Sequence, residues 1–274
     1  MTLYLTDHTT PEEIELAKKS GIVYACKYYP AGATTNSDNG VTDIHNVYSV
    51  LRKMAELGMP LCVHGEATDP SIDIFDREAA FVESVLKPLH ADLPELKIIM
   101  EHITTKQGVE FVLNGGANVG GTITPQHLMY NRNQLLVGGL KPHFYCLPIL
   151  KREEHRQALI QAIQSGCKRL FLGTDSAPHV RETKECKKAC AGCFSEFLSL
   201  ELYAEIFEAN GCLDKLEAFA AENGADFYGL PRNEEFVELE RKEWKVPESY
   251  EFGDSVVVPL KAGEMMRWKC VERE

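Results

Sequence analysis

Four short apolar runs in this chain each lead into a side chain that can bind a metal or move a proton. Val23-Tyr24-Ala25-Cys26 runs into Lys27, Leu61-Cys62-Val63 into His64, and Ile98-Ile99-Met100-Glu101 into His102. Arg169-Leu170-Phe171-Leu172 leads through Gly173-Thr174 to Asp175. Neutral imidazoles suit Zn2+, and a carboxylate completes such a shell or carries a proton. A protonated lysine is a poor ligand, but its neutral amine can capture CO2 as a carbamate. That product is a carboxylate on a long arm, able to bridge two metals roughly 3.5–4 Å apart. Two metals lower the pKa of a shared water and polarise a carbonyl, so the set points to metal-assisted hydrolysis. Each residue alone has a plainer reading, with Lys27 snorkelling to solvent and each histidine a hydrogen-bonded structural group. The conjunction at four strand ends favours a site.

The elements that must position these residues repeat one rhythm, a short apolar strand followed by an amphipathic helix. Leu3 to Thr6 is the first strand. Thr10-Pro11-Glu12-Glu13 opens a helix with a capping box, Gly21 ends it, and Ile22 to Lys27 is the next strand. Val47, Val50, Leu51, Met54 and Leu57 form the apolar stripe of a second helix. Leu61 to His64, Ile98 to His102, Val119 to Thr124 and Arg169 to Leu172 continue the strands. Helices are expected over Ile74 to Leu86, Gln107 to Leu113, Arg152 to Ile163, Phe194 to Glu208 and Leu213 to Glu222. Six such units in series predict an α/β fold with a parallel sheet covered by helices, whose C-terminal strand ends lie on one face. A doubly wound sheet fits this pattern, and so does a (β/α)8 barrel, which needs eight units. After Gly229 the pattern changes to short strands near 236–239, 255–259 and 266–268, giving a catalytic domain over 1–229 and a β-rich extension over 230–274 packed on it.

Composition narrows the function classes. The 274 residues carry 29 Lys and Arg against 41 Asp and Glu, a net charge of −12. With no basic stripe, this argues against a nucleic-acid partner. No apolar run approaches the roughly 18 residues that span a bilayer, so no membrane partner is expected. The opening Met1 to Asp7 is too short for a signal peptide. Nine cysteines, with Cys26, Cys62 and Cys146 inside apolar segments, read as reduced buried thiols of a cytoplasmic protein.

Six ordered segments resemble dihydroorotase, in the compact single-enzyme class of the amidohydrolase superfamily. They are Lys27-Tyr28-Tyr29-Pro30-Ala31-Gly32-Ala33-Thr34-Thr35-Asn36, Val63-His64-Gly65-Glu66, Glu101-His102-Ile103-Thr104-Thr105, Thr122-Ile123-Thr124-Pro125-Gln126-His127-Leu128, Tyr145-Cys146-Leu147-Pro148-Ile149-Leu150-Lys151 and Gly173-Thr174-Asp175-Ser176-Ala177-Pro178-His179. Asp226-Phe227-Tyr228-Gly229-Leu230-Pro231 extends the match over nearly the whole chain. The resemblance implies a TIM-type (β/α)8 barrel with two Zn2+ bridged by a carbamylated Lys27. It implies reversible interconversion of L-dihydroorotate and N-carbamoyl-L-aspartate, the ring-closing step of pyrimidine synthesis, and hence a small-molecule substrate. His64 and His102 fall on the ligands of the second metal. Asp175 falls on the first-metal ligand that takes a proton from the bridging hydroxide and delivers it to the leaving amide nitrogen. His179 falls on a substrate-carboxylate contact, Leu147 and Ala191 on backbone contacts to substrate, and Thr34 and Thr35 on a loop that closes over it. That loop, residues 31–40, is rich in Gly, Asn, Ser and Thr, as a lid should be.

The resemblance also sets out what should be missing. The family's first strand carries a His-x-His pair for the first metal, followed by an Arg and later an Asn for the substrate carboxylate. No two of the nine histidines here, at 8, 45, 64, 90, 102, 127, 143, 155 and 179, are two apart. By the family's order Leu3 to Thr6 is the third barrel strand, so six of eight βα units and an incomplete first zinc site are expected. Three readings follow: an incomplete copy of a full enzyme, an inactive homologue, or an enzyme completed by another chain. A transit peptide, and with it an organellar location, would lie in the missing part. A homodimer is one option for assembly. Cys186, Cys190 and Cys193 have a metal-like spacing for which His179 is the nearest fourth ligand, though the family has a cysteine-rich turn here. Ser176 with Asp175 and His179 is too local for a nucleophilic triad, and the Gly-x-Ser-x-Gly elbow is absent. The rival readings are a non-catalytic binding or assembly partner and a hydantoinase-like amide-ring hydrolase.

Overall fold

The capping box at Thr10 forms as its sequence dictates. In the computed structural model, which describes residues 1–271, the Glu13 N–H donates to Thr10 Oγ1 at 3.3 Å and the Thr10 N–H to Glu13 Oε2 at 2.7 Å. This box opens α1 (Pro11–Lys19) after β1 (Thr2–Leu5). The alternation continues through β2 (Ala25–Tyr28), α2 (Tyr48–Glu56), β3 (Leu61–Val63), α3 (Arg77–Phe81), α4 (Lys87–Asp92), β4 (Ile98–Met100), α5 (Lys106–Asn114) and β5 (Val119–Ile123). Next come α6 (Pro125–Met129), α7 (Arg132–Leu136), α8 (Glu153–Gln164), β6 (Leu170–Leu172), α9 (Arg181–Lys184), α10 (Ser199–Ala209) and α11 (Asn223–Tyr228). The chain closes with β7 (Leu239–Lys245), β8 (Tyr250–Phe252), β9 (Ser255–Val257) and β10 (Met265–Cys270). The parallel sheet follows chain order, β1-β2-β3-β4-β5-β6, as six consecutive βα units require. The chain divides into two units, with the boundary between Thr122 and Ile123.

In the first unit, β3, β4 and β5 are buried along their whole length, which is why they read as unbroken apolar runs. The α2 stripe delivers Val50, Leu51 and Met54 to this core. Two boundaries differ from expectation. β2 begins at Ala25 rather than Ile22, because Ile22 and Tyr24 remain exposed. The helix expected over Ile74 to Leu86 starts at Arg77, since Asp73 holds the preceding residues in a turn by accepting the Phe75 N–H at 2.8 Å. It then passes through a wide π-type turn over Val82–Leu86 into α4, where Pro88 occupies the first turn and lacks the N–H a regular ladder would use.

In the second unit, the C-terminal strands form an antiparallel ribbon, β7 with β10, laid against α10. Leu198, Leu202, Val246, Leu260 and Met266 bury together at this contact. Two carboxylates of α10 catch backbone donors of β10, Glu205 the Arg267 N–H at 2.6 Å and Glu201 the Cys270 N–H at 3.0 Å. The ribbon also carries an indole pair: Trp268 Nε1 donates to Glu208 at 3.0 Å and Trp244 Nε1 to the Trp268 carbonyl at 2.7 Å. The strand expected near 236–239 lies instead at β7, because Phe236 and Val237 stay exposed while the charged Glu240 to Glu243 take the ladder. Residues 272–274 of the expected extension lie outside the described residues.

Candidate active site

Parallel pairing sets three strand ends of the first unit in step. Tyr28 pairs with Val63, and Val63 with Met100. The ladder runs on by one residue, with the His64 N–H donating to the Tyr28 carbonyl at 2.9 Å and the Glu101 N–H to the Val63 carbonyl at 3.1 Å. His102 then turns sharply, with φ 44°, and its N–H is taken by Thr122 Oγ1 at 2.8 Å. A non-glycine residue in the left-handed region is uncommon and clusters at functional sites. The turn brings the buried rings of His64 and His102 edge to face, with centroids 4.8 Å apart.

Lys27 is nearly buried, ion-paired with Glu101, and lies 4.9 Å above the Tyr29 ring. Burial works against its ammonium, but Glu101 and then Tyr29 more than offset this, and its pKa lies above the usual lysine value. Burial holds the His64 pKa below the usual value despite Glu66, whose Oε2 lies 3.0 Å from Nε2, so its imidazole is neutral at pH 7. The two imidazoles on adjacent strand ends fit a divalent cation by donor chemistry, whereas Lys27 one strand away, as an ammonium, does not and would join them only as a carbamate. Among the described residues no three His, Cys, Asp or Glu side chains are already gathered as a metal cluster.

In the second unit, Asp175 follows β6, is exposed, and shares with His102 a φ of 44°. The Ala177 N–H beyond it donates to the Cys193 carbonyl at 2.9 Å, tying the strand end to the cysteine-rich turn. His179 Nε2 donates to the Ala191 carbonyl at 3.1 Å. Gly192 is required here: its φ is 153°, and a Cβ would lie 2.5 Å from the Ala177 carbonyl oxygen.

Leu147 precedes Pro148 through a cis peptide, and the Pro148 carbonyl accepts from His127 Nε2 at 2.8 Å. Burial drives the His127 pKa down to about 3, against the pull of that carbonyl. The ring is therefore neutral, protonated on Nε2, and takes the Thr124 hydroxyl on Nδ1 at 2.6 Å. Two of the three cysteines with the metal-like spacing face different partners. Cys186 is exposed and donates to the Thr183 carbonyl at 3.5 Å, while Cys193 is buried and donates to the His143 carbonyl at 3.4 Å.

The amidohydrolase family model matches residues 1–237. The chain is 61% identical over 269 residues to the dihydroorotase of Shewanella amazonensis, covering 98% of this chain and 79% of that one. The chain belongs to the dihydroorotase family. Its fold agrees: the crystal structure of dihydroorotase from Saccharomyces cerevisiae in complex with 5-fluoroorotic acid superposes with a TM-score of 0.91 at 31% identity, covering 99% of this chain and 79% of that one. A D-hydantoinase structure, at 17% identity, TM-score 0.78, and coverage of 98% and 66%, shares the fold alone. The fold class is thus the α/β barrel type of these enzymes, represented here by six βα units. Amidohydrolases of this kind are generally metal-dependent.

Of the residues expected at a dihydroorotase site, the first unit brings together Lys27, His64 and His102, and the second places His179 against Ala191. Thr34 and Thr35 lie on a loop closed at its base by the Ala31 N–H to the Val41 carbonyl at 3.0 Å and braced by Ser37, which takes the Thr34 N–H at 2.9 Å. Several supporting groups escape the sequence reading. Glu101 and Glu66 are visible inside the quoted segments but carry no role there. His127 sits in a quoted segment without a stated partner.

Glu78 gives no sequence signal at all. Fully buried, it accepts the Thr104 N–H at 2.9 Å and the Thr105 N–H at 2.8 Å, and both hydroxyls at 2.5 Å. It thereby fixes the turn that follows His102. Glu78→Ala leaves two buried amides without an acceptor, each worth about 1–3 kcal/mol. Urea denaturation followed by circular dichroism should show a loss of about 3 kcal/mol or more on that basis. A loss below about 1 kcal/mol would remove Glu78 from this role.

Proposed function

We propose that the protein is a zinc-dependent dihydroorotase, interconverting L-dihydroorotate and N-carbamoyl-L-aspartate in pyrimidine synthesis. The observation that carries this reading is the 61% identity to a dihydroorotase across 98% of the chain. The lysine and two histidines on consecutive strand ends support it. Lys27 as a carbamate, His64, His102 and Asp175 would hold two Zn2+. Bound zinc would supply Lewis acidity toward the ring carbonyl and lower the pKa of water.

The chain's own residues do the rest. In ring opening, the Asp175 carboxylate accepts a proton from the attacking water and returns it to the leaving amide nitrogen. His179 binds the substrate carboxylate, and the main chains at Leu147 and Ala191 bind and orient the ring. Thr34 and Thr35 close over it and exclude water. Residues 1–229 would form the catalytic domain and 230–274 its extension. Nine cysteines without a disulfide among them fit a cytoplasmic enzyme, and a homodimer is the assembly to test first by light scattering.

The reading to test against it is a non-catalytic homologue acting as a binding partner. Zinc per chain and turnover decide between the two. About two zinc ions with dihydroorotate hydrolysis support the enzyme, and no zinc with no turnover supports the partner. Cleavage of hydantoin but not of dihydroorotate would reassign the substrate.

A further inference from the structure

Lys184, the last residue of α9, lies in Arg181-Glu182-Thr183-Lys184, which reads as an exposed charged stretch. Its side chain instead turns inward and is 2% exposed. Its Nζ donates to three backbone carbonyls, Tyr145 at 2.9 Å, Cys190 at 2.8 Å and Gly192 at 2.7 Å. An ammonium has three N–H groups, so three acceptors saturate it, and a neutral amine could serve only two of the three carbonyls. The bonds join two stretches far apart in sequence. Tyr145 stands two residues before Leu147, and Cys190 and Gly192 flank Ala191. The same junction carries the Gly192 N–H to the Tyr145 carbonyl at 2.9 Å and His179 to the Ala191 carbonyl at 3.1 Å. A buried charge is retained only where it is fully paired, and losing the side chain would take the shared donor from all three carbonyls at once, with the Tyr145 carbonyl keeping the Gly192 N–H.

We infer that Lys184 is a positioning residue for substrate binding, its ammonium clamping the main chain around Leu147 to that around Ala191. The inference rests on the reading of those two main chains, with His179, as the contacts that hold the substrate. Lys184 touches neither substrate nor metal in this role. It sets the spacing of the groups that do, so its removal acts on KM more than on the chemical step.

The test compares the zinc-loaded wild type with Lys184→Met and Lys184→Arg, and with Leu198→Ala as a control destabilised in the core beneath the C-terminal ribbon. Lys184→Met should raise KM for dihydroorotate by about tenfold or more with a smaller change in kcat. Lys184→Arg, whose planar donors cannot converge on three carbonyls in the same way, should fall between Met and wild type. Leu198→Ala should lower Tm while leaving KM within about twofold. Amide hydrogen exchange on the full chains gives a readout independent of turnover. The Gly192 amide, bonded to the Tyr145 carbonyl, should lose protection in Lys184→Met and keep it in Leu198→Ala. Unchanged KM and unchanged protection at Gly192 would overturn the role of Lys184. So would a KM rise that Leu198→Ala reproduces at equal Tm. A wild type that leaves dihydroorotate untouched would sink the reading of function instead, and the exchange measurement would still decide whether the clamp exists.

Discussion

Replacing Asp175 by alanine should lower dihydroorotate turnover by about 10³-fold or more while zinc is at least partly retained. A positioned acid–base group contributes about 10²–10⁴ in rate, and Asp175 is assigned to both protonation steps of ring opening, so the upper part of that range applies. The backbone at this position sharpens the choice of variant. Its φ of 44° is tolerated by Asp and Asn better than by Ala, so Asp175→Ala adds about 1 kcal/mol of strain to the chemical deletion. Asp175→Asn keeps the conformation while it removes the proton carrier and weakens the proposed zinc ligand, so zinc content is read alongside turnover. Equal loss of turnover in both variants, with zinc measured by mass spectrometry, identifies the carboxylate as the cause. Turnover within tenfold of wild type in Asp175→Asn would refute the shuttle.

Lys27→Ala should lose the second largest share of activity, and should lose metal as well. About one zinc ion per chain or fewer should remain where two are proposed for the wild type, because the arm that would join the metals is gone. The ion pair with Glu101 gives this variant a further signature. A carbamate on Lys27 would put a second negative charge beside the Glu101 carboxylate, which only bound cations offset. In Lys27→Ala that carboxylate remains with space beside it, so acetate or propionate supplied with zinc can replace the missing group. Partial return of zinc content and turnover on adding a short carboxylic acid, and none with chloride at equal ionic strength, is the expected pattern. Full zinc content in Lys27→Ala without any additive would exclude a bridging lysine.

Much of this was legible in the chain, for identifiable reasons. Lys27, His64 and His102 stand out because a buried parallel strand is an unbroken apolar run, and the first polar residue after it marks its end. The capping box at Thr10 and the stripe on α2 depend on neighbours three or four residues away, which a linear reading sees directly. Glu78 and Lys184 depend on partners 27 and 39 residues away at their farthest, and a single charged letter in a helix looks the same whether it faces solvent or a set of buried donors. The left-handed turns at His102 and Asp175 are likewise invisible, since neither residue is a glycine that would announce them. At β7, hydrophobicity points to Phe236 and Val237, while tertiary pairing with β10 selects a charged segment.

The indole pair of the C-terminal ribbon has a practical consequence for optical work. Trp244 and Trp268 are the two tryptophans of the chain, one bonded to the other's carbonyl and the second to a carboxylate of α10. Intrinsic emission excited at the red edge therefore reports on the last strands alone. A shift in that emission signals the ribbon peeling from its helix, and a steady signal is compatible with any change at Lys27, His64 or His102. The emission is a local gauge of the C-terminus, separable by wavelength from the ten tyrosines spread through the rest of the sequence.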